Sequence, residues 1–232
     1  MAEELDVSDI LQEENGVDEE EEDDDDEEAM TAPEVLQKLE EAWLNEKFSP
    51  ELLPVKSNLV ECMLAQINAM EMNIENAKKA DLRVSIHRME IDRIRFVVSS
   101  YLRRRLAKIE KFTSHVLQEE AKRRDTDAPL LSDAELEFAK GYEANMKNHL
   151  ASTALKHMPT NAATFNDKEM AVLPQLDSYV FLRVNETTEN VLVEEASVDV
   201  GEEIMDLEKG DQHIMMYKPI SALVESGAVS LI

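Results

Sequence analysis

In TAPEVLQKLEEAWLNEKF, residues 31–48, the apolar positions Val35, Leu36, Leu39, Ala42 and Trp43 recur at steps of one, three and four, the spacing of one face of a helix. Thr31 with Glu34 reads as a capping box and Pro33 suits a first helical turn, so the helix is expected to start there. SPELLP stops it. A second helix is predicted from about Asn58 to Lys79, with Leu59, Met63, Ile67, Met70 and Ile74 on one side. Residues 78–124 contain neither Gly nor Pro, which predicts a third and longest helix. Its apolar stripe runs through Ile91, Ile94, Val98, Tyr101, Leu102, Ile109, Phe112 and Val116. Ser132 with Glu135 repeats the capping-box pattern and opens a fourth helix to about His157, which Pro159 ends.

From Asp177 the period changes from helical to alternating. DSYVFLRV and ENVLVE read as strands, and IMDLEKGDQHIMMYK as a hairpin around Lys209-Gly210-Asp211. PISALVESG offers a short helical turn and AVSLI a last strand. The sequence stops on Leu231 and Ile232 with no polar tail to solvate them, so that strand is expected to be buried and needed for assembly. The expected fold class is α+β: an N-terminal all-helical domain with a long central helix, then a small β-rich C-terminal domain. The boundaries read as an acidic tail over 1–30, a helical domain over 31–158, a linker over 159–173 and the β-rich domain over 174–232. A domain of under sixty residues has a poor core of its own and leans on a neighbour.

Charge sharpens this picture. Of 232 residues 43% are hydrophobic, enough for a real core, yet the formal net charge is -27. Residues 1–28 carry seventeen Asp or Glu and no Lys or Arg, which predicts a disordered polyanion. Residues 78–124 run the other way, at net +8. Arg93, Arg104, Lys108 and Lys111 lie off the apolar stripe and read as a solvated face. Arg105 falls inside it, seven residues after Val98 and four before Ile109, and a buried guanidinium needs a carboxylate or carbonyl partner.

Chemistry is sparse. The single cysteine, Cys62, excludes an internal disulfide framework and a Cys-based zinc site, and fits a reducing compartment. The five glycines are scattered, so no phosphate-cradling loop is present. His87, His115, His149, His157 and His213 lack metal-site spacing, and neither GxSxG nor HExxH occurs. No catalytic residue, metal or cofactor is expected. No apolar run approaches the ~20 residues of a membrane span, and the N-terminus has no signal-peptide pattern. In LDVSDIL, Leu5, Val7, Ile10 and Leu11 stand among acids, a pattern that suits a short helix folding into a partner groove.

Six separated segments, AWLNEKFSPELL, SIHRMEIDRIRFVVSSYLRRRLAKIEKF, ALKHMP, LDSYVFLRV, DLEKG and SGAVSLI, together resemble the Sld-five family of GINS subunits, in the same order across residues 33–232. The resemblance implies a helical domain followed by a small β-rich domain, in a nuclear heterotetramer with three Psf-type GINS subunits. It further implies a scaffold without catalysis of its own, which joins the Cdc-forty-five protein and the MCM ring in the replicative helicase, with DNA polymerase epsilon as a further partner. DVSDILQEE is similar to the peptide that some fungal members dock on a Ctf-four type adaptor. Subunit contact is expected at Trp43, Ile94, Val98, Tyr101, Arg105, Ile109, Tyr179, Phe181, Leu231 and Ile232. Two rival readings remain: a nucleic-acid-binding factor touching DNA through the basic band 78–124, and a histone-binding protein acting through residues 18–28. Salt-dependent DNA binding by the isolated chain favours the first, and histone binding lost with the tail favours the second.

Overall fold

The computed structural model describes residues 30–76, 82–123, 128–159, 171–194 and 203–232. The acidic tail with its peptide Leu5, Val7, Ile10 and Leu11, and most of the 159–173 connection, lie outside the described residues. Four long helices come first: α1 (Ala32–Phe48), α2 (Ser57–Asn76), α3 (Leu82–Lys122) and α4 (Asp133–Thr153), the last followed by a 3-10 turn, Leu155–His157. Both expected N-termini form. At α1, Glu34 Oε2 accepts the Thr31 N–H at 2.8 Å. At α4 the exchange is reciprocal: Ser132 Oγ accepts the Glu135 N–H at 3.3 Å, and Glu135 Oε2 accepts the Ser132 N–H at 3.1 Å.

The stripe of α3 splits between two cores. Ile91, Ile94, Val98 and Tyr101 pack with Val35 and Leu39 of α1 and Val60, Met63 and Ile67 of α2. Ile109, Phe112 and Val116 pack with Leu52, Leu130, Leu131 and Ala139. Leu102, expected in the stripe, is 37% exposed, on an open hollow that it shares with Val60 of α2, Leu106 and Leu131. The helix also bends. Phe112 leaves helical geometry at φ -119°, ψ 26°, and Thr113 Oγ1 donates to the Ile109 carbonyl at 2.6 Å, a side-chain bond of the type that bends helices.

The C-terminal part contains β1 (Tyr179–Val184), β2 (Thr188–Glu194), β3 (Glu203–Leu207), β4 (Gln212–Met216), α5 (Tyr217–Ser226) and β5 (Val229–Leu231). The chain is thus helical with a long central helix and then a small β-rich region, as expected. Its pairing differs from the expected hairpin. β3 pairs antiparallel with β2, and β4 pairs antiparallel with β1, so the Lys209-Gly210 turn carries the chain from one sheet to the other. Gly210 permits this at φ 96°, with its N–H donating to the Val184 carbonyl. β5 pairs antiparallel with the opposite edge of β1, giving the order β4-β1-β5. Val180, Leu182 and Val184 point inward from β1 to meet Val229 and Leu231 of β5 and Tyr217, Ile220 and Val224 of α5. The turn into β5 uses Gly227 at φ 86°, whose carbonyl accepts from Asn185 Nδ2 at 3.1 Å.

Residues 31–232 form one compact unit. Leu53, from the connection between α1 and α2, belongs to the β-region core, and α1 packs on β5. The undersized β region therefore does lean on a neighbour, its own helical part.

Candidate functional site

Helical spacing put Arg105 into an apolar stripe, and the structure shows what meets it there. The side chain is 0% exposed, and all five guanidinium N–H donors are used. Nε and Nη2 donate to the two oxygens of Glu135 at 2.8 and 2.9 Å, a bidentate pair. Nη2 also donates to the Leu130 carbonyl at 2.7 Å. Nη1 donates to the Leu53 carbonyl at 2.7 Å and to Glu46 Oε2 at 3.2 Å. One side chain thus joins α1, the α1–α2 connection, the entry to α4 and α4 itself. Burial disfavours its charge, but its hydrogen bonds to Glu135 and the charges of Tyr101, Glu46 and Glu135 outweigh that and raise its pKa. Glu135 serves twice, as capping-box partner and as counter-ion.

Lys108 corrects the sequence reading. Expected on a solvated face, it is mostly buried, with Nζ 2.7 Å from Glu46 Oε1, from Ser49 Oγ and from the Glu51 carbonyl. The end of α1 supplies Glu46 and the α1–α2 connection supplies Ser49 and Glu51, which periodicity along α3 alone does not reveal. Burial lowers the Lys108 pKa, opposed by Glu46. Lys108→Ala is accordingly expected to cost about 1–3 kcal/mol in urea denaturation, since it strips Glu46 of one of its two cations in a buried site. A loss under about 0.5 kcal/mol, the scale of a surface pair, would count against this network.

The network continues into the seam with the β region. Asn45 Oδ1 accepts the Leu231 N–H at 2.7 Å, so a side chain of α1 caps the outer edge of β5. A cavity of about 280 Å³ beside the seam is lined by Glu51, His115, Glu119, Arg123 and Glu225 among others. Burial raises the Glu51 pKa. The nearby Tyr217 hydroxyl lowers it, the Glu225 charge raises it, and His115 and Lys108 lower it. The hydroxyl of Tyr217 is itself buried and makes no geometrically satisfactory hydrogen bond among the described residues. A carboxyl whose folded pKa is raised contributes stability that is complete below its unfolded pKa, near 4.5, and is lost as pH rises through the folded value. Glu51→Gln should therefore be more stable than the native chain at pH 7, with the difference shrinking towards pH 4. Melting temperatures across that range test it; a difference that grows on acidification has the wrong sign.

The expected contact residues divide into three groups. Ile94, Val98, Tyr101, Arg105, Ile109 and Leu231 lie in the chain's own interior. Tyr179 and Phe181 are 67% and 59% exposed, on the outer face of the β4-β1-β5 sheet, where Ile214 stands opposite Phe181. Ile232 is half-buried and donates its N–H to the Phe181 carbonyl. Trp43 is half-buried, with Nε1 donating to Ser100 Oγ at 2.9 Å and its ring edge-on to Phe96. Glu46 and Asn45 escaped the sequence reading, and Lys108 was read as solvated, because their partners are 57 to 186 positions away. Among the described residues no group of three or more His, Cys, Asp or Glu could hold a metal ion, and no helix is long and apolar enough to cross a membrane.

Comparison with known proteins agrees with this architecture. Residues 61–154 match the model of the GINS complex protein helical bundle domain, and residues 174–232 that of the DNA replication complex GINS protein SLD5 C-terminus. The chain is 52% identical over 203 residues to the DNA replication complex GINS protein SLD5 of Bos taurus, covering 88% of this chain and 91% of that one. It is 51% identical to the Homo sapiens protein of that name over the same shares. Identity to the Arabidopsis thaliana protein is 34%, over 85% of this chain and 90% of the relative. With helical bundle and β-rich terminus both matched in order, the chain belongs to the SLD5 family of GINS proteins.

Proposed function

We propose that this protein is a non-catalytic scaffold subunit of a nuclear GINS heterotetramer, bound to three Psf-type subunits. Through that complex it joins the Cdc-forty-five protein and the MCM ring in the replicative helicase, and serves initiation and elongation of DNA replication. Family membership supports the first step. The observation that carries the reading is the outer sheet face, where Tyr179, Phe181 and Ile214 present adjacent large apolar side chains to water. A contiguous apolar face of this kind marks a binding surface. A buried network that locks α1, α3, α4 and the β region into one body suits a part that holds neighbours in register. Leu5, Val7, Ile10 and Leu11 are the proposed peptide for a Ctf-four type adaptor, and DNA polymerase epsilon is a proposed further partner. Four cations of the basic band already have partners within the chain. Arg93 meets Glu40 and Glu90, Arg95 meets Glu71, and Arg105 and Lys108 are taken up internally.

Co-expression with the three Psf-type subunits, followed by size and mass measurement, tests the reading. A complex of one copy each is expected. A monodisperse monomer that leaves its partners behind overturns it.

A further inference from the structure

Arg93, Arg95, Arg105 and Lys108 have carboxylate partners, but a second set of cations in the basic band has none. Arg103, Arg104 and Lys111, in the C-terminal half of α3, are exposed and make no ion pair among the described residues. Arg103, Ala107 and Lys111 follow four-residue steps, and Arg104 stands seven residues before Lys111. The three cations therefore share one side of the helix, around the small, exposed Ala107. From Ser99 to Lys111 the only acid is Glu110, at the edge of this side. The end of α1 borders the same side. Trp43 Nε1 donates to Ser100 Oγ, one turn before Arg104, and Lys47 Nζ lies 5.6 Å from the centre of the Trp43 ring and 4.7 Å from that of Phe48. Lys47 is exposed and makes no ion pair among the described residues, and Phe48 is 40% exposed.

Four unpaired cations beside an open aromatic ring suit a ligand with negative charges at close, regular spacing and flat groups that stack. Single-stranded nucleic acid has both. Its phosphates meet the ammonium and guanidinium groups, while the Phe48 ring and the guanidinium planes of Arg103 and Arg104 offer faces to unpaired bases. Duplex DNA keeps its bases stacked inside and would use the charges alone, and an acidic peptide would leave the ring without a role. From Arg103 to Lys111 the helix rises ~12 Å, so the contact spans only a few nucleotides. The net charge of -27 does not forbid it. Salt screens charges over about 8 Å, so a strand at contact distance feels the cations beside it more than acids farther away.

We infer that Lys47, Phe48, Arg103, Arg104 and Lys111 form a contact for a short stretch of single-stranded DNA, with phosphates on the four cations and a base on Phe48. The contact deepens the scaffold reading and rests on it for its setting, since a subunit of a helicase assembly works where single strands arise. It restricts to these residues the nucleic-acid reading of the basic band.

The test exposes the full-length chain, alone and in the co-expressed complex, to an oligothymidylate carrying photo-reactive 5-bromodeoxyuridine, and maps the cross-linked residues by mass spectrometry. Cross-links at Phe48 or within residues 103–111 are expected in both. Their apparent affinity should fall with log salt at a slope of about -3, the value for four phosphate contacts on a single strand. Arg103→Gln with Arg104→Gln and Lys111→Gln should flatten that slope by about 2 and cut the yield about tenfold at low salt. Lys122→Gln with Lys140→Gln and Lys156→Gln removes the same charge from other exposed places and should change both little. Cross-links absent from this stretch, or lost equally with both triple variants, overturn the contact. Cross-links to the chain alone that vanish in the complex also overturn it, because a sister subunit then covers the face. Displacement by polyglutamate of equal charge as readily as by unlabelled oligothymidylate is the mark of an acidic-peptide surface and overturns it too. If no complex assembles, the scaffold reading falls, and cross-links to the chain alone still decide the contact.

Discussion

Arg105→Ala is expected to lower folding stability by about 3–5 kcal/mol, because it leaves Glu135 and Glu46 as buried carboxylates and two carbonyls without their donor. Domains of this size are stable by only about 5–15 kcal/mol, so the loss brings the chain near its limit. Urea titration followed by far-ultraviolet circular dichroism reads the change directly. Arg105→Lys should recover only part of it, since one ammonium has three donors on a compact head and cannot span Glu135, Glu46, Leu53 and Leu130 together. A variant within about 1 kcal/mol of the native chain would mean that the pair is solvated and the network incidental.

Deleting residues 228–232 should unfold the β region and spare the helices. The deletion removes Val229 and Leu231, both 0% exposed, each stabilising by about 1.5–3 kcal/mol through burial. It also opens the edge of β1 that β5 covers and takes away the N–H that Asn45 accepts. Hydrogen exchange is the decisive measurement. Protection at Tyr179–Val184 should collapse, while protection in α2 and the N-terminal half of α3, whose core shares no residue with the β region, should persist. Capture by the sister subunits should weaken accordingly, because Tyr179 and Phe181 are held in place only by β1. Unchanged protection of β1 would show that α5 and β4 suffice to hold it.

Arg105 was legible because a long helix without Gly or Pro fixes the angular position of every side chain, so a charge inside the stripe announces a buried pair. Its partner Glu135 was half-legible, as the third residue of a capping box. Lys108 was not, since its acceptors arrive on the Glu46–Glu51 fold-back, and no local pattern in the sequence encodes where that segment lands. The β region shows the same division. Alternation marked β1 and Gly210 marked a turn, but strand partners are chosen by long-range packing, and the turn proved to join two sheets rather than two strands of one. The bend at Phe112 rests on one threonine hydroxyl, a signal too common in helices to read in advance.

The contact between Asn45 and Leu231 spans 186 positions, and that distance has a kinetic side. Closing so long a loop carries a large entropic cost that local helix pairing does not face, so the three helices around Ile94 and Val98 can dock while the seam is still open. A contact made after the rate-limiting step slows escape from the native state without hastening arrival. The seam thus acts as a latch on unfolding: weakening it, as in Asn45→Ala, should shorten the native lifetime and leave the refolding rate nearly untouched. The bond between Asn45 and Leu231 thus adds to the barrier against unfolding, beside the buried network around Arg105.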